Sequence, residues 1–329
     1  METPPNWTGA TGERYLALSQ GHGFRLSAQL PTYLYGAPSP DLVAWPHEAI
    51  QVSPLAPGAV DLATLAPRSA ARIVMLAPAG ATERSYAVAL ALRALASQGE
   101  LVVLAPKDRG GARLAKELSG FGCTFEETSR RHHRICRLIT SGPLDGLDAA
   151  LAEGGPRKLP DLQLWSQPGV FSWDRLDPGT AFLISHLPSL SGLGADFGCG
   201  IGVLAKAVLA SATVTGLELI DIDRRAIAAA ARNLDDPRVR LHWADVRTGP
   251  SLSNLDFVVC NPPFHAAGAE DRALGQAFIR RAHSVLKPGG VLWLVANRHL
   301  PYEQVLRDAF AQTHPRGEAK GFKIYEASK

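Results

Sequence analysis

The stretch 255–265, Leu-Asp-Phe-Val-Val-Cys-Asn-Pro-Pro-Phe-His, joins an apolar strand to a loop that has the groups to hold a flat ring bearing an amine. The strand is typical of a central position in a parallel sheet, where both faces are buried. Pro262 and Pro263 lack amide hydrogens, so we expect the strand to end at Asn261. Asn261 and the proline carbonyls are acceptors for an exocyclic amine, and Phe264 offers an apolar face at the carboxyl edge of the sheet. The predicted catalytic residues are Asn261, Pro262, Pro263, Phe264 and His265.

A glycine-rich turn, Asp196-Phe-Gly-Cys-Gly-Ile-Gly202, follows another short strand and leads into a helix. Glycines at alternate positions let the backbone approach a ligand closely, and the helix N-terminus adds exposed N–H groups. The spacing is GxGxG rather than the GxGxxG of dinucleotide-binding proteins. A carboxylate at Asp196 would repel a pyrophosphate but can hold an ammonium group. The turn therefore favours S-adenosylmethionine over NAD.

Two further acidic residues end neighbouring predicted strands. Asp221 follows the strand 213–220 and is positioned to accept hydrogen bonds from both ribose hydroxyls. Asp223 competes for this role, and Asp221 is preferred because it lies nearer the strand tip. Asp245 follows the strand 239–243 and can accept from an adenine amine while Val246 packs on the ring. One such acid is more often a turn residue, but three beside a GxGxG turn predict a cofactor site.

Length and composition indicate a globular protein of two ordinary domains. The chain has 329 residues, of which 46% are hydrophobic and 20% charged. A net charge of +3 is too balanced to argue for nucleic-acid binding by itself. No secretory leader pattern or membrane-spanning run is evident, and the four cysteines lack metal-ligand spacing. We expect a cytoplasmic protein without a membrane segment, disulfide or bound metal.

The first half has the strand–helix alternation of a parallel α/β sheet, beginning at Arg72. The predicted strands are 72–77 and 101–105, and the predicted helices are 85–97 and 109–118. The turn 78–81, taken as the first strand-to-helix turn, has no glycine-rich cradle. We interpret this half as a nucleotide-fold domain without a working cofactor site, and 141–160, rich in Gly and Pro, as the connection. Residues 321–327 are predicted to form an antiparallel edge strand.

The strongest basic cluster is Arg130-Arg131-His132-His133-Arg134 together with Arg137. Charge alone favours a solvated hairpin slightly over a functional role. The functional alternative is a patch that contacts phosphates, which would make binding strongly dependent on salt.

Several motifs together resemble one family, the bacterial ribosomal RNA guanine-N2 methyltransferases that modify 16S rRNA of the small subunit. Residues 160–329 match well and 70–140 more loosely. The Asn-Pro-Pro-Phe sequence also occurs in adenine-N6 and glutamine-N5 methyltransferases, but His265 and the C-terminal motifs narrow the match. A departure is Phe197, where leucine or valine is usual. The matching segments are Pro168-Gly-Val-Phe-Ser172, Leu176-Asp-x-Gly-Thr180, Asp196–Gly202, Asn261–His265, Asn297-Arg-His-Leu-Pro-Tyr-Glu303 and Gly321-Phe-Lys323.

The resemblance implies an α/β fold of two tandem Rossmann-like class I methyltransferase domains, each with a seven-stranded, mostly parallel sheet flanked by helices. The N-terminal copy (1–157) would be degenerate and dock RNA or give support, and the C-terminal copy (158–329) would be catalytic. The implied reaction is S-adenosylmethionine-dependent methylation of N2 of a guanine in 16S rRNA. The expected cofactor-binding residues are Phe171, Thr180, Asp196, Gly198, Gly200, Gly202, Asp221, Asp245, Val246 and Asn261.

The expected partner is ribosomal RNA or the small subunit, and we expect a monomer. The RNA contacts considered are Arg130, Arg131, Arg134 and Arg137. Two alternatives stay open at this point. One is an adenine-N6 or protein glutamine-N5 methyltransferase that uses the same loop. The other is a non-catalytic RNA-binding or ribosome-assembly protein in which both copies have decayed.

Overall fold

The computed structural model describes residues 30–263 and 272–329, and the backbone alone at 265–266 and 269–270. The described chain forms two α/β halves, each built on one open sheet. Separate apolar clusters form the core of each half.

The first half contains a six-stranded sheet in the order β2-β1-β3-β4-β6-β5. Its strands are β1 (Thr32–Tyr35), β2 (Ile50–Gln51), β3 (Ala70–Leu76), β4 (Leu95–Pro106), β5 (Glu126–Arg130) and β6 (His133–Ile139). Its helices are α1 (Ala81–Ala94), α2 (Ala112–Gly120) and α3 (Leu147–Gly154). The first four strands are parallel, and β5 and β6 form an antiparallel hairpin beside β4. Alternating Ala and Leu residues bury α1 against the sheet.

A short antiparallel hairpin, β7 (Arg157–Leu159) and β8 (Leu164–Ser166), connects the halves. The Trp165 amide donates to the side chain of Asn233 over 2.7 Å, so the hairpin packs on the second half. The division into domains 1–157 and 158–329 stays a prediction.

The second half contains a seven-stranded sheet in the order β11-β10-β9-β12-β15-β17-β16. Its strands are β9 (Gly192–Phe197), β10 (Val214–Asp221), β11 (Val239–Trp243), β12 (Leu255–Cys260), β15 (Leu286–Asn297), β16 (Gln312–Ala319) and β17 (Phe322–Ser328), and a separate hairpin is formed by β13 (His265–Ala266) and β14 (Ala269–Glu270). Its helices are α4 (Pro178–Ile184), α5 (Val203–Val208), α6 (Arg224–Asn233), α7 (Arg272–Val285) and α8 (Glu303–Ala309). Five adjacent strands of this sheet are parallel, namely β11, β10, β9, β12 and β15, so the carboxyl ends of β9, β10 and β12 lie side by side.

The two sheets have the same strand order except at one edge. The first lacks, within the described residues, a counterpart of β11, so it has six strands there rather than the predicted seven. Its central first strand is β1, and β3 is the counterpart of β12. The turn 78–81 does lead into α1, the first α-helix of the described chain, but the strand order makes it the counterpart of the loop after β12 rather than of the glycine turn after β9. The four residues of β1 carry too little periodic signal to be recognised, whereas β3 is the first long apolar run.

The prediction of an edge strand at 321–327 was wrong in its position. The strand β17 is antiparallel as predicted, but it lies between β15 and β16, and β16 forms the edge. The sequence of β16, Gln-Thr-His-Pro-Arg-Gly-Glu-Ala, has no apolar alternation because no side chain of this strand is fully buried. An exposed edge strand of this kind gives no hydrophobic pattern to detect.

Candidate functional site

The glycine turn after β9 leaves open space above the carboxyl edge of the sheet. Gly198 and Gly200 have φ values of +73° and +53°, which favour glycine. A Cβ atom on Gly200 would meet nothing within 4 Å, so the backbone there faces an open pocket. Gly202 has another role, because its Cβ would lie 2.8 Å from Leu234 at the end of α6. This glycine permits close packing of two helices rather than access for a ligand.

One pocket gathers six of the residues expected to bind a cofactor. It lies between the glycine turn, the loop before α4 and the end of β12. The lining includes Phe171, Thr180, Asp196, Gly198, Gly200 and Asn261, together with Ser172, Asp177 and Cys199. Phe171 is 61% exposed, so its ring is available to cover a ligand.

Asp196 is the buried acidic residue in the lining of this pocket. It is 1% exposed, and its Oδ2 atom has no hydrogen-bond partner. Burial, and then the nearby charge of Asp221, raise the pKa of Asp196 to about 8. A buried carboxyl oxygen without a partner is costly, and a ligand that brings a cationic donor removes that cost. The residue therefore fits the ammonium end of S-adenosylmethionine.

Asp221 lies at the tip of β10, next to Asp196, and is held by backbone amides. Its Oδ2 accepts from the Gly200 amide over 2.8 Å, and its Oδ1 accepts from the Asp223 amide over 2.8 Å. Burial raises its pKa to about 6 despite these bonds. Asp223, the competing residue, instead caps α6 by accepting from the Arg225 amide. The structure thus gives Asp223 a capping role, and the ribose contact of Asp221 stays a prediction.

Asn261 is oriented by two acceptors. Its amide nitrogen donates to Asp177 Oδ2 and to Thr180 Oγ1, each over 2.9 Å. Both amide hydrogens are therefore used, and Oδ1 is left to accept from a ligand. Asp177 also caps α4, accepting from the Thr180 amide over 2.7 Å. Its contact with Asn261 was not identified from the sequence; the only sequence signal is the place of Asp177 three positions before Thr180.

Asp245 and Val246 lie outside this pocket in the structure. The Asp245 carboxylate accepts from the Arg247 amide over 2.9 Å and from its guanidinium over 2.5 Å. These side-chain bonds lower the pKa of Asp245. Val246 is 3% exposed and packs in the core. The contacts of Asp245 and Val246 with adenine stay predictions. The predicted roles of Phe264 and of the His265 side chain fall outside the described residues.

In the first half, the loop that corresponds to the Asn261 loop is held by a buried internal ion pair. Ala77 follows β3 as Asn261 follows β12, and it has no polar side chain. Arg84 is 1% exposed and donates to the carbonyls of Pro78 and Ala79 over 2.9 and 2.7 Å. It also forms two bonds to Glu117, at 2.6 and 2.7 Å. The loop carbonyls are thus used inside the protein, which agrees with a degenerate copy.

The basic cluster forms the β5–β6 hairpin at the carboxyl edge of β4, where His133 pairs with Pro106. Three of its arginines face carboxylates: Arg131 pairs with Asp41, Arg134 with Glu127 and Arg137 with Glu100. For Arg130, no ion pair is found with any described residue. Much of the positive charge predicted from the sequence is therefore neutralised locally.

Comparisons with known proteins agree with this geometry. The profile of the "Methyltransferase small domain" family matches residues 161–326. The chain is 33% identical over 319 residues to the ribosomal RNA small subunit methyltransferase C of Pseudomonas paraeruginosa (strain DSM 24068 / PA7), covering 91% of this chain and 95% of the relative. The chain belongs to the ribosomal RNA small subunit methyltransferase C family. The protein of that name from Pseudomonas entomophila (strain L48) is 35% identical over 250 residues, covering 72% and 74% of the two chains.

A solved structure shows the same fold at lower identity. It is the T. thermophilus 16S rRNA N2 G1207 methyltransferase (RsmC) in complex with AdoMet and guanosine. The TM-score is 0.68 at 24% identity, with 82% of this chain and 75% of that chain covered. The expected tandem α/β methyltransferase fold is therefore confirmed, and membership of the methyltransferase C family makes the chain an enzyme of the methyltransferase class.

No helix in the described ranges is long and apolar enough to cross a membrane. The same part of the chain has no group of three or more His, Cys, Asp or Glu side chains arranged to hold a metal ion. All four cysteines are free thiols.

Proposed function

We propose that this enzyme transfers a methyl group from S-adenosylmethionine to the exocyclic N2 of a guanine in 16S ribosomal RNA, acting in the cytoplasm on the small subunit or its RNA. The observation that carries the proposal is the orientation of Asn261. Its amide hydrogens are held by Asp177 and Thr180, so its oxygen faces outward beside a pocket that contains the unpartnered Asp196. The named activities of relatives that share this fold support it.

Residues of the second half can be assigned to each part of the cofactor in turn. S-adenosylmethionine, when bound, supplies a methyl group on a positively charged sulfur. Asp196 holds the ammonium group, and the open backbone at Gly198 and Gly200 makes room for the methionine part. A carboxylate has about four lone-pair sites, so Asp221 can accept from the ribose in addition to the backbone amides that hold it. Asp245 accepts a hydrogen bond from the adenine amine after it gives up part of its ion pair with Arg247.

Asn261 and the Pro262 carbonyl then act on the target base. Chemistry on a base requires that it leave the stack or be single-stranded already. The N2 amine is a weak nucleophile because its lone pair is delocalised into the ring. Two acceptors fix both of its hydrogens and stabilise the positive charge that grows on nitrogen as the N–C bond forms and the S–C bond breaks. The methylated amine then loses a proton to solvent, so no strong base is needed.

Roles follow for the remaining predicted residues. Phe264 would stack on the base, Pro263 would stiffen the loop, and His265 would position the loop or contact RNA. The first half, as domain 1–157, would dock or orient RNA through Arg130, Arg131, Arg134 and Arg137. The enzyme would act as a monomer because the second half alone supplies the whole pocket.

The decisive experiment is transfer of labelled methyl from S-adenosylmethionine to unmodified small subunits and to their isolated RNA, followed by nucleoside analysis. We expect N2-methylguanosine in 16S rRNA, and none with Asn261→Ala. N6-methyladenosine, or label in protein glutamine, would instead support the enzymes that use the same loop on other acceptors. Cofactor binding without transfer to either substrate would contradict the proposal.

A further inference from the structure

Two adjacent arginines at the start of α6 join the second half to the first. Arg225 Nη1 lies 2.6 Å from Glu83 Oε1, in the first turn of α1. Arg224 Nη2 lies 2.9 Å from Asp61 Oδ1. The two pairs have the same charges and bridge the same interface, but their arginines differ in the further contacts that they make.

Beyond Arg225, hydrogen bonds to both the side chain and the backbone of Asp223 connect the ion pair to the glycine turn. The Arg225 guanidinium donates to the Asp223 carboxylate, with Nη2 2.8 Å from Oδ2 and Nε 2.9 Å from Oδ1. The Asp223 amide donates to Asp221, and Asp221 in turn accepts from the Gly200 amide. The carboxylate of Glu83 is therefore connected to the side chain expected to hold the ribose.

The same ion pair also supports the loop that carries Phe171. Arg225 Nη2 is 3.4 Å from the Gly169 carbonyl. A Cβ atom on Gly169 would lie 2.4 Å from Glu83 Cδ and 2.5 Å from Arg225 Nη1. With a φ of +100°, Gly169 lets the loop backbone lie directly on the ion pair. Two residues later, Phe171 lines the pocket.

Burial makes this pair more strongly coupled than its neighbour. The side chains of Glu83 and Arg225 are 16% and 11% exposed, against 20% and 39% for Arg224 and Asp61. Charges out of water interact more strongly, and loss of one leaves the other poorly compensated. Burial acts to lower the pKa of Arg225, but the carboxylates of Asp223 and Glu83 outweigh it and hold that pKa above its ordinary value.

We propose that Glu83, in the half without a cofactor site, is a positioning residue for the cofactor pocket of the other half. Through Arg225 it fixes Asp221, which accepts from the amide of the pocket-lining Gly200, and the loop 168–172, which carries Phe171. The inference rests on the proposed use of S-adenosylmethionine at this pocket. It assigns the degenerate half a specific contribution to cofactor binding, separate from any contact with RNA.

The test compares Glu83→Gln with Asp61→Asn in the full-length enzyme. Each substitution removes one interdomain charge with little change in shape. Calorimetry gives the Kd of S-adenosylmethionine, and steady-state assays give KM and kcat for each substrate. Amide hydrogen exchange at Gly200 and Asp223 reports on the bonds to Asp221 without any ligand, and thermal unfolding reports on stability.

We expect Glu83→Gln to weaken cofactor binding about three- to tenfold, within the usual range of couplings in a shared network. Exchange at Gly200 and Asp223 should become faster, while kcat at saturating cofactor and KM for RNA stay near wild type. Asp61→Asn should lower Tm by less than Glu83→Gln does, because its ion pair is more exposed, and it should leave Kd and exchange unchanged. Equal Kd and exchange in Glu83→Gln and wild type would overturn the inference. If the wild type itself fails to bind the cofactor, the proposed function fails, and the exchange rates still decide the positioning role.

Discussion

The side-chain amide of Asn261 donates to Asp177 across 2.9 Å, joining the loop after β12 to the start of α4, 84 positions earlier in the chain. A carboxylate can only accept, so this contact determines which end of the amide points away from it. The free end is the oxygen. The orientation that makes Asn261 an acceptor for an amine is therefore determined by a residue that has no proposed contact with the substrate.

Asn261→Asp tests this orientation with minimal change of shape. The new carboxylate cannot donate to Asp177 and would be repelled by it, so the acceptor should turn away from the base. We expect kcat to fall about 100-fold or more, the scale seen when a preorganised polar contact is lost, with a much smaller change in cofactor Kd. The control is Asn254→Asp, an exposed position outside the pocket. Near-normal turnover in Asn261→Asp would exclude the assigned role.

Cofactor binding should release a proton near neutral pH. Asp196 has a pKa of about 8 in the free protein and is mostly protonated at pH 7, but a bound ammonium group favours its charged form. Affinity should therefore increase as pH rises from about 6 to 8. Calorimetry at pH 7 in buffers of different ionisation enthalpy measures the proton, and Asp196→Asn should bind weakly without releasing it.

The same group makes the stability of the free enzyme depend on pH. The folded-state pKa of Asp196 lies above its ordinary 3.8, so the native state keeps a proton that the unfolded chain gives up. The free energy of unfolding should then decrease as pH rises between about 4 and 8. In Asp196→Asn this decrease should be smaller, which denaturant titrations at several pH values would detect.

Gly200→Ala separates pocket space from backbone strain. The Ala side chain would enter the open pocket at a φ of +53°. Gly289→Ala is a matched control, because Gly289 also has a positive φ of +77° and open space around a Cβ, but lies in the turn within β15. Both should lose about 1 kcal/mol of stability. Only Gly200→Ala should weaken the cofactor Kd, and equal Kd values would show that the ligand does not approach this backbone.

The hairpin arginines should differ in their contribution to RNA binding. Arg130 is exposed, and the Arg131–Asp41 pair is too exposed to hold its arginine firmly. Arg130→Ala and Arg131→Ala should each raise KM for the small subunit and reduce the salt dependence of binding by about one unit. Arg134→Ala, at a less exposed pair with Glu127, should have a smaller effect. A KM insensitive to all three would remove this hairpin from the RNA interface.

Arg84→Met should destabilise the first half and leave the cofactor pocket unchanged. Removal of the guanidinium leaves Glu117 and the carbonyls of Pro78 and Ala79 without their partner. The expected loss is about 3 kcal/mol, measured by denaturant unfolding. Arg113→Met, at an exposed site on α2, should change stability by less than about 0.5 kcal/mol.

The sequence by itself determined the elements that carry the site. Apolar strands, proline and glycine punctuation and acidic strand tips are local features, and they placed Asp196, Gly200 and Asn261 correctly at one sheet edge. The short strand β1 and the polar edge strand β16 were missed because neither has a periodic apolar pattern. Without β1, the turn 78–81 could not be recognised as the counterpart of the loop after β12.

Only the tertiary structure decided how these side chains are used. Asp177 meets Asn261, Glu83 meets Arg225, and Arg247 engages Asp245 through contacts that depend on side-chain direction or on long loops between elements. Hydrogen bonds and ion pairs act over about 3 Å, whereas sequence patterns report only which face of an element is buried. Residue types thus predicted the kind of chemistry at the sheet edge. The orientation of Asn261 and the contact of Glu83 with Arg225 could be seen only in the tertiary structure.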